Sequence, residues 1–350
     1  MADSIRDQQW FLRSLNVGRA QAISNGAGIT VALVDTGVYP HRDFKGNLLA
    51  GYNLVTAKPD GRIDTDGHGT NMAGLIAGSG HGNSGVLGIA LRAKILPIKA
   101  GNDGHIPGGM VAKGIDYAVA HKAQVINVSI ASAPAFELLK AIKDANKADV
   151  VIVAGSGNEG DQLVGYPAAA DGVLAVGATD KKGKHWSDST HGPNLQICAP
   201  GVDIVSTGIG NKYVGSDGTS DATAIVSGAV AMVRARFPKL SAPEVIHRIT
   251  ATADDIGPPG RDDDCGFGEL NIVKALTADV PPLSGGAPSA STSPSVTTTA
   301  SATASSDNAA EPPSAEKADG GAPLIVGALV AVLLVAGLVG FLAVRRRRRA

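Results

Sequence analysis

The chain has 350 residues, of which 44% are apolar and 18% are charged, and its formal net charge is -1 at pH 7. This length and composition support one large folded core with residues left over. The near-neutral charge excludes the broad basic surface typical of nucleic-acid binding, so no nucleic acid is expected as a partner.

The first 28 residues are interpreted as an N-terminal extension, and residues 29–278 as a folded domain of alternating strands and helices. The predicted strands are rich in Val and Ile and show almost no polar alternation, which is typical of strands buried on both faces. This alternation predicts an α/β fold with a mainly parallel central sheet and helices on both faces. The strands are expected at Ile29–Val34, Ile95–Lys99, Val125–Ile130, Val150–Ala154 and Val173–Gly177, and the helices include Asn71–Ala77, Val111–His121 and Ala135–Lys147. A long apolar helix follows Ser220 and is expected to end near Phe237, because Pro238 cannot continue it.

The composition changes after residue 278. Residues 279–322 are dominated by Ala, Ser, Thr and Pro, cannot bury enough surface to fold, and are expected to form a disordered stalk. Residues 323–344 are uncharged and apolar, and Leu324–Val344 would be about 31 Å long as a helix, which predicts one transmembrane helix in contact with membrane lipid. The alternative for this segment is a buried soluble helix. Residues 345–350 carry five consecutive arginines, which the positive-inside rule places in the cytoplasm, with the folded domain outside the cell.

The N-terminal residues do not match this topology. Residues 1–16 are polar and lack the apolar centre of a signal peptide. We therefore expect that a leader precedes the first residue. The alternative is a tail-anchored protein whose folded domain faces the cytoplasm.

Three short motifs follow each other in the order Asp, His, Ser: Asp35 in VALVDTG, His68 in DGHGTNMAG and Ser220 in DGTSDA. Each alone is a weak signal, since the three residues also occur as a turn carboxylate, a core histidine and a helix cap. Together they supply a nucleophile, a base that takes its proton, and a carboxylate that orients the base. Asp35 ends a predicted strand, and Ser220 begins a helix whose N–H groups and dipole can stabilise an oxyanion.

Asn158 directly follows another predicted strand, in the sequence VIVAGSGNEG. A tetrahedral oxyanion needs hydrogen-bond donors, and the Asn158 amide beside the Ser220 N–H would complete such a hole. The alternative is a turn residue between glycines.

On these motifs, residues 29–276 resemble the subtilase family of serine peptidases. The resemblance implies a subtilisin-like fold, no cofactor, and a protein or peptide substrate that binds as an added β-strand. It also implies the substrate-binding residues, which are Ser129, Ile130 and Ala131 on one edge, Gly104 on the opposite edge, and Gly155, Ser156 and Gly157 in the pocket for the side chain before the cut. The whole-chain layout resembles the mycosins, membrane-anchored subtilases associated with type VII secretion, and so implies a type VII secretion complex as a partner.

The chain departs from the family's serine motif at two positions, where Asp221 replaces an apolar residue and Ala224 replaces a proline. An ionised carboxylate about 6 Å from the oxyanion would oppose it by roughly 2.8 kcal/mol at an effective dielectric of 20, or about a hundredfold in rate. We therefore expect Asp221 to modulate catalysis. The alternative is a structural role, since a helix N-terminus also stabilises aspartate.

Two cysteines, Cys198 and Cys265, are consistent with one disulfide formed in an oxidising compartment, or with two unrelated buried thiols. The acidic run Asp262–Asp264 is interpreted as surface charge rather than a calcium site, and no metal is expected.

The sequence therefore predicts a membrane-anchored serine endopeptidase linked to type VII secretion. The alternatives are a weakly active or inactive scaffold of a membrane secretion complex, which Asp221 favours, and a secreted degradative subtilase.

Overall fold

The computed structural model describes residues 4–81, 84–102 and 106–283. The helices in these ranges are α1 (Ile5–Gln8), α2 (Phe11–Ser14), α3 (Val17–Ile23), α4 (His68–Ala77), α5 (Gly108–Ala120), α6 (Phe136–Lys147), α7 (Thr219–Arg236), α8 (Ala242–Ala251) and α9 (Ile272–Thr277). The strands are β1 (Thr30–Asp35), β2 (Tyr52–Asn53), β3 (Lys58–Pro59), β4 (Ser79–His81), β5 (Ser84–Leu87), β6 (Lys94–Lys99), β7 (Val125–Val128), β8 (Val151–Gly155), β9 (Val173–Thr179), β10 (Ile197–Pro200), β11 (Ile204–Thr207) and β12 (Tyr213–Ser216).

The main sheet has the strand order β10-β9-β8-β7-β1-β6-β2-β3. Neighbouring strands run parallel from β10 to β2, and β3 pairs antiparallel with β2 at one edge. Because β1 lies between β7 and β6, the chain builds one side of the sheet after β1 and the other side from β7 onward. Ligands of open α/β sheets bind at such a reversal, outside the carboxyl ends of the strands. The mainly parallel sheet predicted from the sequence is confirmed.

Helices cover both faces of this sheet, as expected. Along β1, Val31 and Leu33 belong to one apolar cluster, whereas Ala32 and Val34 belong to the other. The first cluster includes residues of α4, α7, α8 and α9, and the second includes residues of α5 and α6. Since successive side chains of a strand point to opposite faces, this division explains why the buried strands show no polar alternation.

The predicted strand ends differ from the observed ones by at most two residues. The largest difference that touches the site is at β7, which ends at Val128, so that Ser129 and Ile130 lie beyond it. The helix after Ser220 ends at Arg236, directly before Phe237 and Pro238. The proline has no N–H to continue the helix, which is the reason the sequence predicts this end.

The N-terminal residues belong to the same core as the sheet. The Phe11 side chain is fully buried, and Val17 and Ala20 pack in the cluster that includes α7. The indole N–H of Trp10 donates a hydrogen bond to the carbonyl oxygen of Val202 at 3.1 Å. Part of the predicted N-terminal extension therefore packs on the folded domain.

Several predicted features lie outside the described residues: Gly104, the stalk beyond residue 283, the predicted transmembrane segment 323–344 and the arginine tail 345–350. Within the described ranges, no helix combines the length and apolarity needed to cross a membrane. Cys198 and Cys265 are joined by a disulfide that links β10 to the loop before α9.

Candidate active site

Asp35 and His68 meet at the carboxyl end of the sheet. Asp35 is the last residue of β1 and is fully buried, and His68 is the first residue of α4. His68 Nδ1 lies 2.8 Å from Asp35 Oδ1, which also accepts a hydrogen bond from the Thr36 N–H at 2.7 Å. With Nδ1 engaged by the carboxylate, the other ring nitrogen, Nε2, remains for a substrate or a nucleophile.

Asp64 holds α4 against the end of β1, a role that the sequence reasoning missed. Its Oδ1 accepts a hydrogen bond from Thr36 Oγ1 at 3.0 Å, and its Oδ2 accepts from Thr70 N at 3.0 Å and Thr70 Oγ1 at 2.5 Å. Thr36 Oγ1 in turn accepts from the Gly69 N–H at 3.0 Å. The sequence feature that could have indicated this role is the position of Asp64 shortly before the start of α4, where hydrogen-bond acceptors satisfy free backbone N–H groups.

Close backbone approach explains the glycine after His68. A Cβ at Gly69 would overlap the carbonyl oxygen of Gly37 and lie 3.2 Å from Oδ1 of Asp35. Any other residue would therefore push α4 away from β1 and separate the imidazole from its carboxylate.

Ser220 lies in the first turn of α7 and lines the same cavity as His68 and Asn158. Its Oγ donates a hydrogen bond to the carbonyl oxygen of Ser129 at 3.2 Å, and the described residues contain no hydrogen bond between this hydroxyl and His68. His68, Asn158 and Ser220 thus line one cleft, but the Ser220 hydroxyl points to Ser129 instead of the His68 imidazole. Rotation about the Cα–Cβ bond separates the two orientations.

Asn158 is exposed in the cavity, and its side-chain oxygen is held in place. Oδ1 accepts hydrogen bonds from Thr219 N at 2.9 Å and from Thr219 Oγ1 at 3.0 Å. Because the oxygen is engaged on the side of α7, the Nδ2 group is the part of the amide available to a ligand. This orientation is the one that an oxyanion hole requires.

The other predicted substrate-binding residues lie near the ends of β7 and β8. Ser129 and Ile130 are buried, and Ala131 is exposed. Gly155 ends β8, Ser156 is fully buried, and Gly157 has a φ of 122° and donates its N–H to Thr219 Oγ1 at 3.4 Å. Gly104 lies outside the described residues.

Asp221 is buried, with 1% of its surface exposed, in the wall of the cavity. Its Oδ1 accepts a hydrogen bond from Ser216 Oγ at 2.8 Å, and Ser216 Oγ accepts one from Asn71 Nδ2 at 3.0 Å. Burial raises the pKa of Asp221 to about 7, although the Ser216 hydrogen bond and the charge of His68 act in the opposite direction. The burial of Asp221 and its hydrogen bond with Ser216 were not predicted from the sequence.

His68 holds its proton more strongly than a free imidazole. Burial lowers its pKa, but the charge and hydrogen bond of Asp35, followed by the charges of Asp221 and Asp66, outweigh burial and raise the pKa to about 9. A base must be unprotonated to accept a proton, so this site suits a reaction that accelerates as the pH rises toward 9.

Comparison with known proteins identifies the family to which this chain belongs. The subtilase family model matches residues 26–268. The chain is 39% identical over 236 residues to a thermostable alkaline protease of Halalkalibacterium halodurans, a match that covers 67% of this chain and 64% of that protein. It is 37% identical over 234 residues to Subtilisin BL of Lederbergia lenta, covering 66% of this chain and 86% of that protein. The chain belongs to the subtilase family, and its enzyme class is that of the subtilisin-like serine endopeptidases.

Solved structures narrow the resemblance within that family. MycP1 with its N-terminal propeptide removed superposes with a TM-score of 0.71 at 31% identity, covering 78% of this chain and 98% of that one. The MycP3 protease from the type VII (ESX-3) secretion system superposes with a TM-score of 0.68 at 32% identity, covering 77% of this chain and 88% of that one. The described fold is therefore similar to the mycosins, as the layout of the sequence suggested.

Proposed function

We propose that the chain is a serine endopeptidase in which Ser220 is the nucleophile, His68 the general base and then acid, and Asp35 the group that orients His68. Ser220 Oγ turns from the Ser129 carbonyl to His68 Nε2 and attacks a peptide carbonyl as the imidazole takes its proton. The Ser220 N–H and Asn158 Nδ2 hold the tetrahedral oxyanion. His68 then protonates the leaving amine, and water hydrolyses the acyl-enzyme. The observation that carries this proposal is the 2.8 Å contact between Asp35 and His68, together with the position of His68 and Ser220 in the lining of one cavity.

An activity-based probe tests the assignment of the nucleophile. A fluorophosphonate reacts with an activated serine hydroxyl, so we expect it to label the protein at Ser220 and not to label the Ser220→Ala variant. Ser187→Ala is the matched control, since Ser187 is exposed and does not line the cavity. Labelling that persists in Ser220→Ala, or an unlabelled native protein, would contradict the proposal.

A weakly active scaffold is the second candidate function, and Asp221 is the observation that favours it. Its carboxylate adjoins the nucleophile in the chain, and as it ionises it opposes the negative charge that forms on the substrate. The same probe separates the two candidates, because a scaffold would label slowly at every pH, whereas a peptidase would label readily once His68 is neutral.

We also propose that the chain is anchored in a membrane through residues 323–344 and acts with a type VII secretion complex. The likeness to MycP1 and MycP3 supports this context, and the apolar run in the sequence supports the anchor. Carbonate extraction of membranes from cells that express the full chain should leave it in the membrane pellet. A chain that ends at residue 322 should be released. Equal release of both would contradict the anchor.

A further inference from the structure

A cavity of about 610 Å³ lies against His68, Asn158 and Ser220. Its remaining walls come from the start of α4, from the β11–β12 hairpin and from the residues before α7. Among the described residues, neither Ser129–Ala131 nor Gly155–Gly157 lines it.

The position of this cavity assigns it to one side of the cleaved bond. Because Ser129–Ala131 do not line this cavity, a substrate whose acyl part pairs with those residues leaves the cavity free for the part that departs with the amine. His68, the group that would protonate the leaving amine, lines this cavity. The cavity therefore contacts the residues that follow the cleaved bond.

Negative charge predominates in the wall once Asp221 is ionised and His68 has lost its proton. Asp66 and Asp217 are exposed in the cavity, Asp221 is buried in it, and Lys212 partly offsets them. Within the described ranges, none of the three aspartates forms an ion pair with a lysine or arginine. Their hydrogen bonds come from neutral groups. The backbone N–H of His68 donates to Asp66, the backbone N–H of Asp203 donates to Asp217, and the Ser216 hydroxyl donates to Asp221.

An independent observation points to a hydrogen-bond donor as the occupant. Asn71 lines the cavity, is 5% exposed, and donates through Nδ2 to Ser216. Its Oδ1 is buried and accepts no hydrogen bond from the described residues. A buried acceptor without a donor costs about 1–3 kcal/mol. Guanidinium and ammonium groups supply donors and positive charge and have no acceptor of their own.

We propose that this cavity selects an arginine or lysine side chain in the substrate just after the cleaved bond, and that Asp217 and Asp221 determine this preference. The inference rests on the proposed peptidase function and adds a substrate class to it. Asp221, which the sequence predicts to slow catalysis, thereby acquires a positive role in substrate selection.

Partition of the acyl-enzyme measures this preference directly. The enzyme is acylated with a peptide ester at about pH 9, and either arginine amide or citrulline amide competes with water for the acyl group. Citrulline matches arginine in length and shape but carries no charge. We expect arginine amide to be favoured by about five- to tenfold at low ionic strength, with the preference falling as salt is added.

Variants assign the preference to residues. Asp217→Asn keeps an oxygen for the Asp203 N–H and should reduce the ratio of arginine to citrulline transfer toward one, as should Asp221→Asn. Lys212→Gln should increase the ratio, because it removes the opposing charge. Asp171→Asn is the control: it makes the same change in net charge at an exposed residue that does not line this cavity.

The possible outcomes separate the two proposals. A native protein that fails to hydrolyse the ester would overturn the peptidase function and this inference with it. Hydrolysis with equal transfer to both amides would overturn the charge selection alone. A preference that both Asp217→Asn and Asp221→Asn leave unchanged would overturn the assignment to these residues.

Discussion

Replacing Asp221 by asparagine tests the coupling between this buried carboxylate and the proposed base. The charge of Asp221 raises the pKa of His68. Removing it takes away a group that stabilises the imidazolium, so the pKa of His68 should fall. The rise of kcat/KM with pH should then move toward lower pH. Asparagine has nearly the same size as aspartate and can still accept the hydrogen bond from Ser216.

The size of the shift follows from the charges. At an assumed separation of about 7 Å and an effective dielectric of 20, two unit charges interact by about 2.4 kcal/mol, which corresponds to about 1.7 pKa units. The pKa of Asp221 is raised to about 7 and that of His68 to about 9, so Asp221 is mostly ionised where His68 loses its proton. We therefore expect the rising limb of the plot of kcat/KM against pH to move to lower pH by about 1 to 2 units in Asp221→Asn.

The assay is kcat/KM for a peptide ester, measured between about pH 5 and pH 10 at constant ionic strength. Asp66→Asn should move the limb less than Asp221→Asn, because Asp66 contributes less to the pKa of His68. Asp171→Asn should not move it, since Asp171 lies outside the cavity. A limb that stays in place in Asp221→Asn, or that moves to higher pH, would refute the coupling.

Three further outcomes are expected. Asn158→Ala should lower kcat by about 10² to 10³ with little change in KM, and an unchanged kcat would remove Asn158 from the oxyanion hole. Asp221→Asn should raise the free energy of unfolding at pH 8 by about 2–4 kcal/mol. The folded-state pKa of Asp221 is raised to about 7, so ionisation of this carboxyl lowers the stability of the native protein as the pH rises from about 4 to 7. Urea unfolding should show that the gain in the variant disappears near pH 4. Replacing Cys198 and Cys265 by alanine should reduce stability by about 4 kcal/mol for a sequence separation of 67 residues, measured by thermal unfolding with and without reductant.

The sequence predicts the fold where burial leaves a strong signal. The five predicted strands are Val/Ile-rich and buried on both faces, and all five are observed in the central sheet. Among the strands that were not predicted from the sequence, β2 (Tyr52–Asn53) has two residues and β4 (Ser79–His81) has three. Their pairing depends on partners elsewhere in the chain and leaves little periodicity in their own residues.

Some residues of the candidate site can likewise be proposed from local sequence, whereas others become apparent only in the structure. Asp35, His68 and Ser220 could be proposed as candidates from local sequence, because each sits in a short glycine-containing motif at the end of a strand or the start of a helix. The partners of Asp221 could not be identified locally. Ser216 is close to it in sequence, but Asn71, which completes the hydrogen-bonded chain, is 145 residues from Ser216.

The amino-acid sequence by itself predicted the class of chemistry, since residue type and order supply candidates for a nucleophile, a base and a carboxylate. Only the tertiary structure decided that the Ser220 hydroxyl faces Ser129, that Asp221 is buried with a raised pKa, and that acidic residues line the cavity beside Ser220. The physical reason is that hydrogen-bond partners, burial and electrostatic field are properties of neighbours in space. In a sheet whose strand order differs from chain order, those neighbours come from distant segments.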